Sequence, residues 1–209
     1  MPGATDTPMP PVGQPVARFQ VHGTTVALQL GPDQWRAALI RGASGQGKSD
    51  LALRCLAQPL NGLFPAQIHP EGARLVADDR TDIAVYTTMI GPVVTVGVPV
   101  SIAGLLEVRG LGVLTVPFVA AARLVLVIDL VTPGDVPRFP EHEKTSCVPI
   151  GTLQTRDVDP AVAVLPRISL APFEASSPLK LLLALARTAL TGSPVGADAA
   201  KPHCLPEGQ

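Results

Sequence analysis

Gly42-Ala43-Ser44-Gly45-Gln46-Gly47-Lys48-Ser49 fits the phosphate-binding pattern G-x-x-x-x-G-K-[ST] without a gap. The apolar run Ala37-Ala38-Leu39-Ile40 leads into it, and a helix-like run from Asp50 to Ala57 leads out. The pattern is meaningful only in such a strand–loop–helix context, and the flanks supply it. Glycines lack Cβ, so the loop backbone can curl and turn several N–H groups toward one anion. A helix starting near Lys48 adds its positive end. In this reading all eight residues cradle a polyphosphate, Lys48 reaches the β- and γ-phosphates, and the Ser49 hydroxyl ligates Mg²⁺.

Outward from the loop, the chain of 209 residues reads as one α/β domain from 17 to 191. Residues 1–16 and 192–209, rich in Pro and Gly, read as a disordered lead and tail. Upstream, Phe19–Leu30 is strand-like, Gly31-Pro32-Asp33 marks a turn, and Trp35–Arg41 is the strand feeding the loop. Ser49–Leu56 is helical, and Gln58–Gly72, with Pro59, Pro65 and Pro70, is a loop. Arg74–Ala77 is a short buried strand ending in Asp78-Asp79. Strands follow at Ile83–Met89 and Val93–Val98, a helical turn at Ser101–Leu106, and a short strand at Val113–Val116. Arg123–Leu130 is nearly all apolar and predicts a central strand. Pro178–Leu190 is a second helix, capped by Ser176 or Ser177, with leucines nearly all round. So apolar a face calls for a partner, either the sheet or a second subunit.

Composition narrows the function. Aromatics make up only 3% of the chain, so its core is built from Val, Leu, Ala and Ile. A net charge of −1 and the lack of any Lys/Arg block argue against nucleic-acid and acidic-membrane binding. No 18-residue apolar stretch predicts a membrane span, and the Pro-rich start is not a signal peptide. Cys55, Cys147 and Cys204 have no Cys-x-x-Cys spacing, against a disulfide framework or structural zinc. Cys55 reads as a small buried hydrophobe. The expected location is the cytoplasm.

Three further groups could do chemistry. Asp78-Asp79, at a strand end beside a phosphate loop, could hold Mg²⁺ or take a proton from an attacking hydroxyl. Neighbouring side chains on an extended chain point in opposite directions, so the two acids can serve different partners. Glu107-Val108-Arg109-Gly110-Leu111-Gly112 puts a carboxylate and a guanidinium on one face, for metal and phosphate respectively. His22, in Val21-His22-Gly23, and Arg138, in a loop after the central strand, are weaker candidates on spacing alone. His69, His142 and His203 show no metal-ligand spacing.

Taken together, Gly42–Ser49, Leu75-Val76-Ala77-Asp78-Asp79-Arg80 and Leu106-Glu107-Val108-Arg109-Gly110-Leu111-Gly112-Val113 resemble the catalytic domain of HPr kinase/phosphorylase, in the same order. The resemblance spans roughly Val21 to Leu185. It implies an α/β phosphate-loop kinase core similar to phosphoenolpyruvate carboxykinase, with a β-rich mixed sheet and few helices. It implies ATP and Mg²⁺ as cofactors, with Lys48 and Ser49 as nucleotide and metal ligands and Glu107 as the second metal ligand. His22 would lie near the reacting phosphate. Asp79 would be the base of the kinase and the acid of the reverse reaction, with Asp78 in support. Arg138 looks like the family's loop arginine, though Arg138-Phe139-Pro140 matches it loosely. Ala43 stands where the family usually has Asp. The chain resembles the short, single-domain forms seen in alphaproteobacteria, with no regulatory domain before His22 and no glycine-rich loop after the third motif.

The implied activity is phosphorylation of a serine of the phosphocarrier protein HPr, with phosphorolysis of phosphoserine-HPr to pyrophosphate as the reverse. The implied assembly is a homo-oligomer, a hexamer. Two other readings remain: a non-catalytic nucleotide-binding regulatory module, or a small-molecule kinase with the Gln58–Gly72 loop as a lid.

Overall fold

Val26, Leu28, Leu39, Ile40, Leu126 and Ile128 are wholly buried, and the strands that carry them form the middle of one nine-stranded sheet. The computed structural model describes residues 13–60, 62–68, 71–138, 143–146 and 164–192. The expected lead and tail lie almost wholly outside these residues.

The strands are β1 (Ala17–His22), β2 (Thr24–Gly31), β3 (Gln34–Arg41), β4 (Arg74–Ala77), β5 (Arg80–Thr88), β6 (Gly91–Gly97), β7 (Leu105–Val108), β8 (Gly112–Thr115), β9 (Ala121–Leu130), β10 (Lys144–Ser146) and β11 (Val164–Leu170). The helices are α1 (Lys48–Leu56) and α2 (Ser177–Thr191). The main sheet runs β1-β5-β6-β9-β3-β2-β4, with β11 parallel to β9 and β10 antiparallel to β11. β3 and β9 are parallel, and most other pairs are antiparallel, so the sheet is mixed and β-rich as expected. β7 and β8 form a separate hairpin.

One core lies under the helices, with Leu51, Cys55, Leu181, Leu182 and Leu185 packed on Val26, Ala38, Ile40 and Ile128. Three of the six α2 leucines, Leu181, Leu182 and Leu185, are therefore spent on this core, while Leu190 is exposed. The second core, around Ala37, Leu39, Val76, Ile83, Val94 and Leu124, covers the opposite face. β9 does lie centrally, between β6 and β3.

Two sequence expectations need correction. Phe19–Leu30 is not one strand. It breaks at Gly23, because β1 pairs with β5 while β2 pairs with β3 and β4. A side chain at Gly23 would meet the Ile40 carbonyl oxygen at 2.9 Å, so only glycine lets the chain cross there. The helical turn expected over Ser101–Leu106 is confined to a 3₁₀ turn at Val100–Ile102, and Leu105-Leu106 enters β7. Gly31–Trp35 forms the β2–β3 hairpin connection, with a register shift between Gln29 and Gly31.

Among the described residues no helix is long and apolar enough to cross a membrane. Cys55 is buried, and burial pushes its thiol up to about 12 from 9.0. The folded state keeps the proton that the unfolded state loses, so this group's contribution to stability declines as pH rises from about 9 to 12. A thiol reagent at pH 8 is expected to leave Cys55 unmodified in the native protein and to label it on unfolding. Peptide mapping of the labelled chain reads the outcome directly.

Candidate functional site

Strand β3 delivers the chain to Gly42, the loop curls, and α1 begins at Lys48. Its N-cap, Gly47, sits at φ +88°, and no side chain caps the helix. The first-turn N–H groups therefore have no side-chain acceptor and remain available to an anion. The Phe173 ring lies against Gly47, 2.8 Å from where a Cβ would be. Lys48 Nζ donates to the carbonyls of Gly42 and Ala43, both at 3.0 Å, so the lysine is folded over its own loop. The Gln46 side-chain oxygen accepts from the Ala43 N–H.

Asp78 ends β4 and joins three segments. Its Oδ1 accepts from Ser49 Oγ at 2.8 Å and from Thr24 Oγ1 at 2.7 Å, and its Oδ2 accepts from the Glu107 backbone N–H at 3.1 Å. Thr24 is fully buried, and behind it Thr25 and Thr81 bond each other at 3.0 Å while Thr81 donates to the Gly23 carbonyl. This buried hydroxyl layer fixes the ends of β2 and β5 under the site.

Asp79 turns the other way. Its backbone is left-handed, at φ +63°, which Asp tolerates better than most residues. Asp79 Oδ1 lies 2.9 Å from His22 Nδ1, and the two side chains are 77% and 50% exposed. The adjacent acids thus serve different partners, as expected, but through a left-handed kink and not through strand alternation.

A cleft of about 400 Å³ is lined by Ser44, Gly45, Gly47, Lys48 and Ser49 from the loop, together with His22, Asp79, Glu107 and Arg109. Arg109 Nη2 comes within 3.9 Å of the point where a Cβ on Gly45 would sit. Arg138 follows the 3₁₀ turn at Pro133–Asp135 and is not among the residues lining the cleft. Four separated segments therefore converge, carrying a glycine-rich backbone cradle, two cations, two open carboxylates and a histidine. Among the described residues no cluster of three or more His, Cys, Asp or Glu could hold a metal by itself. A magnesium ion carried by a nucleotide needs only one or two protein ligands, which Ser49, Asp78 and Glu107 could supply.

Two contributors were not foreseen from sequence. Thr24 sits in a strand with no motif around it. Phe173, 71% exposed and lining the cleft, lies in the β11–α2 connection, which Arg54 clamps through the Pro172 and Glu174 carbonyls.

No protein-family model matches the chain, and no curated protein matches it. Among solved structures it is similar to the HPr(Ser) kinase/phosphatase from Coxiella burnetii, with a TM-score of 0.53 and 20% identity. The match covers 81% of this chain and 95% of that one. The two chains share a fold. That fold is a mixed, mostly β sheet with few helices, and in this chain the loop Gly42–Ser49 and Asp78-Asp79 both follow C-terminal ends of its strands.

Proposed function

We propose that the chain is an ATP-dependent protein-serine kinase acting on the phosphocarrier protein HPr in a bacterial phosphotransfer relay, and that the same site runs the reverse phosphorolysis. The observation that carries this reading is the convergence of His22, Lys48-Ser49, Asp79 and Glu107-Arg109 on one cleft. Simple nucleotide binding does not call for Asp79 and Glu107 at the mouth of a phosphate cradle. The shared fold with an HPr(Ser) kinase/phosphatase supports the same substrate class. The finer parts of the reading are a short single-domain form, a core like that of phosphoenolpyruvate carboxykinase, a hexameric assembly and a cytoplasmic location.

In this mechanism the loop N–H groups and Lys48 bind the β- and γ-phosphates, and Gln46 releases the Ala43 N–H as phosphate enters. Ser49 and Glu107 would hold Mg²⁺ arriving with the nucleotide, which would supply neutralisation of phosphate charge. Asp78 holds Ser49 and the start of the Glu107 segment in register. Arg109 approaches a phosphate oxygen. The seryl oxygen of HPr attacks the γ-phosphorus in line, Asp79 accepts its proton, and the bond to the β-phosphate oxygen breaks. His22 orients the Asp79 carboxylate. In reverse, inorganic phosphate attacks phosphoserine, the seryl oxygen takes a proton from Asp79, and pyrophosphate leaves. Positioning and charge neutralisation supply most of such catalysis, so this set suffices in kind.

Incubation of the full chain with radiolabelled ATP, Mg²⁺ and purified HPr tests the proposal. Label on an HPr serine is the expected result. Bound ATP without transfer points to a regulatory module, and label on a small acceptor points to a small-molecule kinase. Either of these outcomes overturns the proposal.

A further inference from the structure

Helices α1 and α2 pack on β2, β3 and β9, and leave the β1-β5-β6 half of the same sheet face open. Strand registers place Arg18, Ala84, Thr95, Arg123 and Arg36 in one row across β1, β5, β6, β9 and β3. Directly paired residues share a face. The row ends at Leu28, in the core beneath the helices, which identifies the face. Ala84 and Thr95, with Gly97 and Ala121 in the next row, are short, and a groove of about 1180 Å³ opens above them. Among the described residues, this groove and the phosphate-loop cleft share no lining residue.

The charges in the groove are unusual. Arg36 and Arg123 are direct cross-strand neighbours, an arrangement that costs stability when both are charged. Neither forms an ion pair with a carboxylate among the described residues, and Arg36 donates only to the Trp35 carbonyl, at 3.3 Å. Burial, and then the charge of Arg123, lowers the pKa of Arg36. Two acids line the groove. Asp82 is engaged by Gln20 Nε2 at 2.6 Å, and Asp33 sits in the β2–β3 turn. Trp35 reaches the groove only beside its own backbone, because its side chain packs in the core of the opposite sheet face. Two neighbouring cations beside an open, short-walled floor are complementary to an anion with an organic body.

We propose that this groove binds a small organic oxyanion, its phosphate or carboxylate held between Arg36 and Arg123 and its body lying over Ala84 and Thr95 toward Tyr86. Nothing in this depends on the reading of the phosphate-loop cleft. An oxyanion there turns a repulsive arginine pair into two charge-assisted contacts, which is why the pair can persist at a stability cost.

Binding is read as the heat of titration, because the indole of Trp35, the chain's only tryptophan, lies in the core of the opposite sheet face. Citrate and inorganic phosphate are titrated against the full chain at constant ionic strength. A saturable change with a Kd of about 1 mM or tighter is expected for at least one probe. The probe that binds identifies the preferred group. The affinity should stay within about twofold in Lys48→Ala and fall about tenfold or more in Arg123→Gln. Arg123→Gln should also raise the melting temperature of the free chain and abolish the rise that the probe gives the wild type. The proposal is overturned if neither probe gives saturation by about 10 mM, if Arg123→Gln binds as well as wild type, or if Lys48→Ala abolishes the signal.

Discussion

Asp79→Asn is expected to slow phosphoryl transfer to HPr, and the reverse release of pyrophosphate, by about 10²–10⁴-fold. The amide keeps the size of the carboxylate but cannot accept a proton from the attacking seryl hydroxyl or return it. The left-handed turn at φ +63° survives, because Asn tolerates that backbone as well as Asp does. The contact with His22 lies at an exposed site, so stability should change little, by less than about 1 kcal/mol. ATP binding should be retained, since Asp79 makes no contact with the loop amides or Lys48. Rates in both directions, nucleotide affinity and thermal unfolding are measured on the same preparation. Transfer near the wild-type rate in either direction would remove Asp79 from the chemistry.

Asp78→Ala is expected to act through the fold as well as the site. Its two oxygens accept from Thr24, Ser49 and the Glu107 N–H, and so join β2, α1 and β7. Truncation leaves the fully buried Thr24 hydroxyl without its acceptor and unties the other two donors, which water reaches more easily. A loss of about 2–4 kcal/mol follows, or roughly 5–12 °C in melting temperature for a chain of this length. Asp78→Asn keeps one acceptor but turns an N–H toward the Glu107 N–H, and should fall between wild type and Ala. Nucleotide affinity in Mg²⁺ should drop in both variants, because Ser49 and Glu107 lose their common anchor. Wild-type stability in Asp78→Ala would mean that the three contacts are incidental.

Much of the site is legible along the chain because its backbone demands are local. A loop that curls tightly from a strand into a helix needs glycines at set offsets, and Gly47 at φ +88° is one such position. The run Leu75–Asp79 also shows its nature locally, as a buried strand that ends in two acids. Other parts have no local signature. Thr24 matters only because β2 passes beside Asp78, and Phe173 only because the β11–α2 connection folds back onto Gly47. Strand β11 itself carries no strong alternation, and its parallel pairing with β9 is a long-range event. The split of Phe19–Leu30 follows from competing strand partners, which periodicity within the segment cannot reveal.

By itself the amino-acid order determined the glycine-rich cradle between β3 and α1, the strand and helix that flank it, the central place of β9 and the acids at the end of β4. Each rests on contacts between residues a few positions apart, or on one run of apolar side chains. Tertiary structure decided which distant segments meet that cradle, that Asp79 turns away from Asp78 to face His22, and that Arg36 stands beside Arg123 over an open groove. Those outcomes depend on strand order and register, which are set by the packing of the whole sheet at once.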